Sequence, residues 1–167
     1  MVATSTIEEK KIWSILETVV DPEVPVLTVT DLGIIRDVKI NADEIEVIIT
    51  PTYTGCPAMD MIAMNIRLAL AEHEYKNVKI TSVLSPVWTT DWMSEEGKRK
   101  LKEYGIAPPN PKQQSCNEKL FAEAEAVQCP HCNSHHTHRI SEFGSTACKS
   151  LYQCDDCKEP FDYFKCH

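Results

Sequence analysis

Pro51-Thr-Tyr-Thr-Gly-Cys-Pro-Ala-Met-Asp60 joins two kinds of sequence. Before it, Glu46-Val-Ile-Ile-Thr50 is rich in β-branched residues. After it, from Ala58 to about His73, apolar residues recur at helical spacing. The stretch therefore reads as a strand-to-helix turn. Gly55 permits a sharp bend, and Pro57 suits the first turn of a helix, where a missing N–H costs nothing. Cys56 is predicted at or just before that helix N-terminus, where free amides and the helix dipole favour a thiolate. Such a group can attack a carbon or a disulfide, or ligate a soft metal such as iron in a cluster. The plain alternative is a small buried cysteine packed in a turn.

Upstream, Ser5 or Thr6 can cap a helix carrying Ile7, Ile12, Ile15, Leu16 and Val19 on one side, with Trp13 alongside. Asp21-Pro-Glu-Val-Pro25 ends it, because proline restricts the residue before it and donates no hydrogen bond. Asp31-Leu-Gly33 is a turn signal. Ile34 to Ile40 and Ile45 to Thr50 read as partner strands around the turn Asn41-Ala-Asp-Glu44. Downstream, the helix begun by Cys56 presents Met59, Ile62, Ala63, Ile66 and Leu70 on one face, with Met59, Met61 and Met64 read as core filler. A third strand spans 77–84, with Val78, Ile80 and Val83 inward. The aromatic loop Pro86-Val-Trp-Thr-Thr-Asp-Trp92 and a short charged helix from Ser94 to about Tyr104 follow. The fold class is α+β: a compact α-β-β-α-β-α domain over 1–108, a proline-started linker over 109–127, and a small cysteine-rich domain over 128–167.

Composition narrows the function. The 167 residues carry a net charge of −8, and the excess of acid is spread along the chain. Residues 1–108 hold 11 basic and 17 acidic side chains, residues 128–167 hold 4 and 5. Neither part offers the positive surface that drives phosphate-backbone binding, so nucleic acid is not an expected partner. No run reaches the roughly 18 apolar residues of a membrane span, and the start lacks the layout of a secretory signal. A cytoplasmic protein without a membrane partner is the expectation.

Of the 8 cysteines, only Cys56 lies before residue 116. Cys129-Pro-His-Cys132 and Cys154-Asp-Asp-Cys157 stand 21 residues apart. Four thiolates at this spacing fit a tetrahedral site held by two turns, as in zinc ribbons. Iron in a rubredoxin-like site satisfies the same ligand count. A unit of this size buries too little apolar surface to fold unaided, so the metal is expected to supply much of its stability. Phe143, Tyr152, Phe161 and Phe164 are expected to pack around the two turns. His131, His135, His136 and His138 read as solvated loop residues rather than a second site. Cys116, Cys148 and Cys166 are surplus to four ligands, and their roles stay open.

Asp21-Pro-Glu-Val-Pro25, Asp31-Leu-Gly33 and Thr54-Gly-Cys-Pro57, in this order and with the Pro86–Asp91 loop, resemble the SufT-type iron–sulfur assembly domain over about residues 7 to 108. The tail narrows the likeness further. Its two cysteine pairs, with Phe143-Gly-Ser-Thr-Ala-Cys-Lys149 between them and Phe161 and Phe164 after, resemble the PaaD (or PaaJ) accessory subunits of multicomponent phenylacetyl-CoA epoxidases. The resemblance implies a non-catalytic role in phenylacetate degradation, maturing or delivering an iron–sulfur cluster. The implied recipient is the flavin- and cluster-containing reductase component, with the di-iron oxygenase component as a second client. It marks Asp21, Glu23, Thr54 and Cys56 as transfer candidates and implies structural zinc at Cys129, Cys132, Cys154 and Cys157, with a transient cluster at Cys56.

The residues carry this reading independently. A carrier must hold iron loosely enough to release it, and one thiolate per subunit leaves a ligand set for a partner, a second subunit in a homodimer, or a small thiol to complete. Asp21 and Glu23 can add oxygen ligands or fix their loop; for Asp21, simple turn formation serves equally well. Thr54 can donate to the thiolate or cap the following turn. An independent enzyme with a Cys56 nucleophile needs a base, and His73, the first domain's one histidine, lies about fifteen residues, or roughly 20 Å, along the same helix. A structural or regulatory subunit of the oxygenase, or a general iron–sulfur carrier, are the alternatives within the accessory class.

Overall fold

Helix α1 (Ile7–Leu16) comes first among the described elements, followed by strands β1 (Ile35–Asn41) and β2 (Glu44–Ile49), helix α2 (Ala58–Glu72) and strand β3 (Val78–Ser82). Helix α3 (Glu95–Tyr104) and strands β4 (Ile106–Ala107), β5 (Thr137–Ser141), β6 (Lys149–Cys154) and β7 (Pro160–Phe164) complete it. This is a computed structural model, and it describes residues 7–41, 44–109 and 127–165. The expected Ser5 or Thr6 cap, the centre of the 41–44 turn and most of the 109–127 linker lie outside them.

The first unit, Met1–Ser94, is built on a three-stranded sheet of order β1-β2-β3. β1 and β2 are antiparallel, as a short connection requires. β3 runs parallel to β2, and α2 is the crossover that makes this possible. Along β2 the pleat sends Ile45, Val47 and Ile49 inward. They share a core with Ile12, Ile15 and Leu16 of α1 and Ile62, Ile66 and Leu70 of α2. Ile7, at the exposed start of α1, does not join it. The expectation for two methionines is overturned: Met61 and Met64 face solvent, because the buried side of α2 is centred on Ile62 and Ile66. Val78 and Ile80 on β3 are only half-buried.

The second unit, Glu95–His167, contains a four-stranded sheet of order β4-β7-β6-β5. Residues 95–107 are placed with the first domain by the sequence pattern, yet β4 hydrogen-bonds to β7 and goes with the tail. Two residues are too few to show a strand's alternation. Tyr152, Phe161 and Tyr163 stack with Cys129, Cys154, Val127 and Ala107 in a small core, and Phe164 is buried too. Phe143 is not part of it. Its ring is 63% exposed, beneath the Lys165 ammonium at 4.6 Å from the ring centre.

Candidate functional site

β2 ends at Ile49, and Thr50, Pro51 and Thr52 are buried as the chain leaves the sheet. The Cys56 N–H then donates to the Tyr53 carbonyl (3.2 Å), closing a four-residue turn with Gly55 at φ +86°. A turn of this kind needs a positive φ at its third position, which glycine adopts without strain. Pro57 caps α2 with no side-chain bond, and the Cys56 carbonyl accepts the Met59 N–H. Cys56 thus stands immediately before the helix, half-buried.

Its electrostatics run against the simplest expectation for that position. Burial pushes the thiol up from its ordinary value; the Ala58 N–H pulls it down; Glu23 pushes it up, the Tyr53 hydroxyl pulls it down, and Asp21 pushes it up again. The net shift is upward, so desolvation and two carboxylates outweigh the helix amide. These same interactions put Asp21 and Glu23 within electrostatic range of Cys56, although they lie more than thirty residues away in sequence; among the described residues the three do not form a metal-holding group. Asp21 is buried and rigid: its Oδ1 accepts the N–H groups of Glu23 (2.8 Å) and Val24 (2.7 Å), while its own N–H donates to the Leu27 carbonyl. Asp21 therefore fixes the loop that presents Glu23. Thr54 is exposed on the turn. Tyr53, which the sequence pattern did not single out, has its buried hydroxyl near enough to lower the thiol; aromatic residues in turns carry no signal of what their hydroxyls meet.

The loop before α3 is latched to the 31–33 turn. Asp31 accepts the Ser94 hydroxyl on Oδ1 (2.8 Å), and its carbonyl accepts the Ser94 N–H (2.8 Å). Fully buried Trp88 donates its indole N–H to the Leu32 carbonyl (2.8 Å). Gly33, at φ +66°, lies so close to Trp92 that a Cβ would come within 2.3 Å of its carbonyl oxygen. Arg36 caps the Trp92 ring at 3.6 Å. The Asp31-Leu-Gly33 signal and the aromatic loop are one structural device.

In the second unit the four sulfurs of Cys129, Cys132, Cys154 and Cys157 all lie within 4.8 Å of one another. Cys129 and Cys157 sulfurs are 3.8 Å apart, Cys132 and Cys154 sulfurs 3.5 Å. A tetrahedron with metal–sulfur bonds of about 2.3 Å has edges of about 3.8 Å, so the residues fit one metal ion. Among the described residues this is the only such cluster of three or more ligand groups.

The two turns that hold it repeat at an offset of 25 positions. Cys129 and Cys154 each accept, on their carbonyls, the N–H four residues on, from Asn133 and Lys158. Each donates its own N–H to the carbonyl five residues on, at Ser134 and Glu159. Asn133 and Lys158 both take a positive φ, 62° and 66°. Gln128 and Gln153 each donate their side-chain amide to those residues' carbonyls, at 3.2 and 3.0 Å. The Ser134 and Glu159 N–H groups point at the second sulfur of each pair. The N–H groups of Cys157 and Asp156 draw Cys154 down to about 7. Cys157, despite the Glu159 amide, is pushed up to about 12, and Cys132, despite the Ser134 amide, is pushed up as well, both by burial and the neighbouring thiols. A metal ion must displace the protons these sulfurs share. The repeated Gln-Cys-x-x-Cys was legible in the sequence as the signal for the two glutamines. The histidines are exposed, His136 beside Asp156 (3.3 Å) and His138, within β5, beside Asp155 (3.0 Å).

A family model described as a PaaD zinc beta ribbon domain matches residues 113–165, and one described as an iron–sulfur cluster assembly protein matches residues 9–82. The chain is 49% identical over 156 residues to an Escherichia coli protein named as one of the subunits of a "Putative 1,2-phenylacetyl-CoA epoxidase", covering 93% of this chain and 92% of that one. It is 41% identical over 95 residues to an "Fe-S protein maturation auxiliary factor" of Porphyromonas gingivalis, covering 56% of this chain and 90% of that one. A crystal structure of a domain of unknown function, DUF59, from Bacillus anthracis superposes with a TM-score of 0.52 at 27% identity, over 56% of this chain and 90% of that one. Matched along nearly its whole length, with an iron–sulfur assembly domain leading into a zinc ribbon, the chain belongs to the PaaD family of phenylacetyl-CoA epoxidase subunits.

Proposed function

We propose that this protein is the accessory subunit that assembles or delivers an iron–sulfur cluster to the reductase component of a phenylacetyl-CoA epoxidase. One observation carries the reading. Cys56 is a half-buried thiol within electrostatic range of Glu23 and Asp21, and among the described residues it belongs to no group of three ligand atoms close enough to hold one ion. A site that offers one thiolate and two nearby negative charges attracts iron and cannot saturate it. Burial first, and then Glu23 and Asp21, hold the proton on the thiol; an arriving iron cation offsets the carboxylates and binds the sulfur as the proton passes to solvent. The remaining ligands come from the recipient, so the cluster leaves with it. The names of the matched relatives, an epoxidase subunit and an iron–sulfur maturation factor, support the same role. In the tail, Cys129, Cys132, Cys154 and Cys157 hold zinc, whose part is to cross-link the two turns.

The experiment pairs two readings on Cys56→Ser. The melting temperature is expected to hold, because the swap is small and the tail site is elsewhere. The reductase purified from the mutant strain is expected to have lost iron and sulfide. A merely packed cysteine gives the reverse pattern, a loss of about 1–2 kcal/mol of stability with an intact client. A fully loaded reductase overturns the delivery role.

A further inference from the structure

Helix α2 carries apolar residues on the side where a surface helix is ordinarily polar. Ile62, Ile66 and Leu70 face the core. At 100° per residue, Met61, Met64 and Leu68 fall on the opposite side, and they are 51%, 54% and 52% exposed. Spaced at i, i+3 and i+7, they form one stripe about 10 Å long, beginning five residues after Cys56. Two of the three are methionines, whose flexible thioethers adapt to more than one surface.

The size of the stripe bears on what covers it. Three half-exposed side chains offer on the order of 300 Å² of apolar surface, against about 800 Å² per partner in a lasting complex. A second copy packed helix to helix would bury too little for a standing dimer. The area suits a contact that is made and broken. The charge is also placed: the Cys56 end of the helix is acidic, with Asp21, Glu23 and, in the first turn of α2, Asp60.

We infer that Met61, Met64 and Leu68 are the docking surface for the cluster-receiving protein, a partner presenting an apolar patch beside its own cysteine ligands, rimmed by basic residues that face Asp21, Glu23 and Asp60. This rests on the delivery reading above. Docking along the stripe sets the partner's thiolates against Cys56, the one end of α2 where ligands are wanting.

The test measures binding of the full-length chain to purified apo-reductase by fluorescence anisotropy. Met61→Glu/Leu68→Glu is expected to weaken binding by about tenfold or more with an unchanged melting temperature. Lys39→Glu, on the exposed side of β1, is expected to leave binding unchanged. Wild-type binding is expected to weaken as salt rises, through the acidic end. Wild-type affinity in the double variant, no binding by the wild type, or a wild-type dimer that the double variant dissolves each overturns the inference, the last in favour of a second copy. Cys56→Ser separates the two readings. It is expected to bind the reductase as the wild type does and to transfer no cluster. If that variant still loads the reductase, delivery through Cys56 fails, and the binding measurement alone then decides whether the stripe docks the partner.

Discussion

At Cys56 the competition between an N-terminal amide and two carboxylates is decided by burial, and this can be read in solution. Alkylation of Cys56, followed by mass spectrometry across pH, is expected to have its midpoint above that of an ordinary thiol. Glu23→Gln removes a negative charge that disfavours the thiolate, so the midpoint falls and alkylation at pH 8 quickens. Tyr53→Phe removes a nearby hydroxyl that lowers the thiol, so the midpoint rises and alkylation slows. Profiles that move in neither variant place Cys56 away from both groups. The position of the cysteine was legible from Gly55 and Pro57, because φ preferences are local. Its ionisation was not, since burial and the approach of residues 21–23 are tertiary facts.

At the scale of elements, the latch between residues 31–33 and 88–94 shows why a three-residue turn signal matters so much to this fold. Gly33→Ala places a methyl group against the Trp92 carbonyl at a φ that alanine rarely adopts. It is expected to cost about 2–4 kcal/mol, seen as a lower urea midpoint for the first unit, with the metal content of the tail unchanged. Metal loss without that midpoint shift contradicts the latch. Strands β1 to β3 and helices α1 to α3 were legible from apolar periodicity and from proline and glycine. The outward placing of Met61, Met64 and Phe143 was not. Hydrophobic residues mark the core only when something covers them, and the sequence does not say which face is covered. Strand β4 escaped notice because it depends on β7, more than fifty residues away.

For the whole molecule, the two compact units depend on different forces. The first is held by a shared core between sheet and helices, the second by a small aromatic core and four sulfurs. Cys154→Ser is expected to abolish tight metal binding and to expose the amides of 127–165 to hydrogen exchange. Because β4 is bonded to β7, the protection of Ile106 and Ala107 is expected to go with it, while β1, β2 and β3 stay protected. Retained metal and retained protection in the tail contradict the ligand assignment. Among the described residues no helix is long and apolar enough to cross a membrane.

The 25-residue repeat has a consequence for how the ribbon can be altered. Each hairpin around a cysteine pair closes with its own glutamine, its own left-handed residue and its own amides aimed at sulfur. Within each hairpin these groups are its own, but the two are also tied across the site: the Asp155 N–H donates to the His136 carbonyl (2.7 Å), and the Ser134 hydroxyl to Asp156 (2.5 Å). Copying residues 128–134 onto 153–159 would keep the local turn and the two sulfurs. It would also put a proline, which has no N–H, at 155 and remove the carboxylate at 156. The repeat thus marks a shared local shape whose two copies have each acquired a separate part in joining the halves.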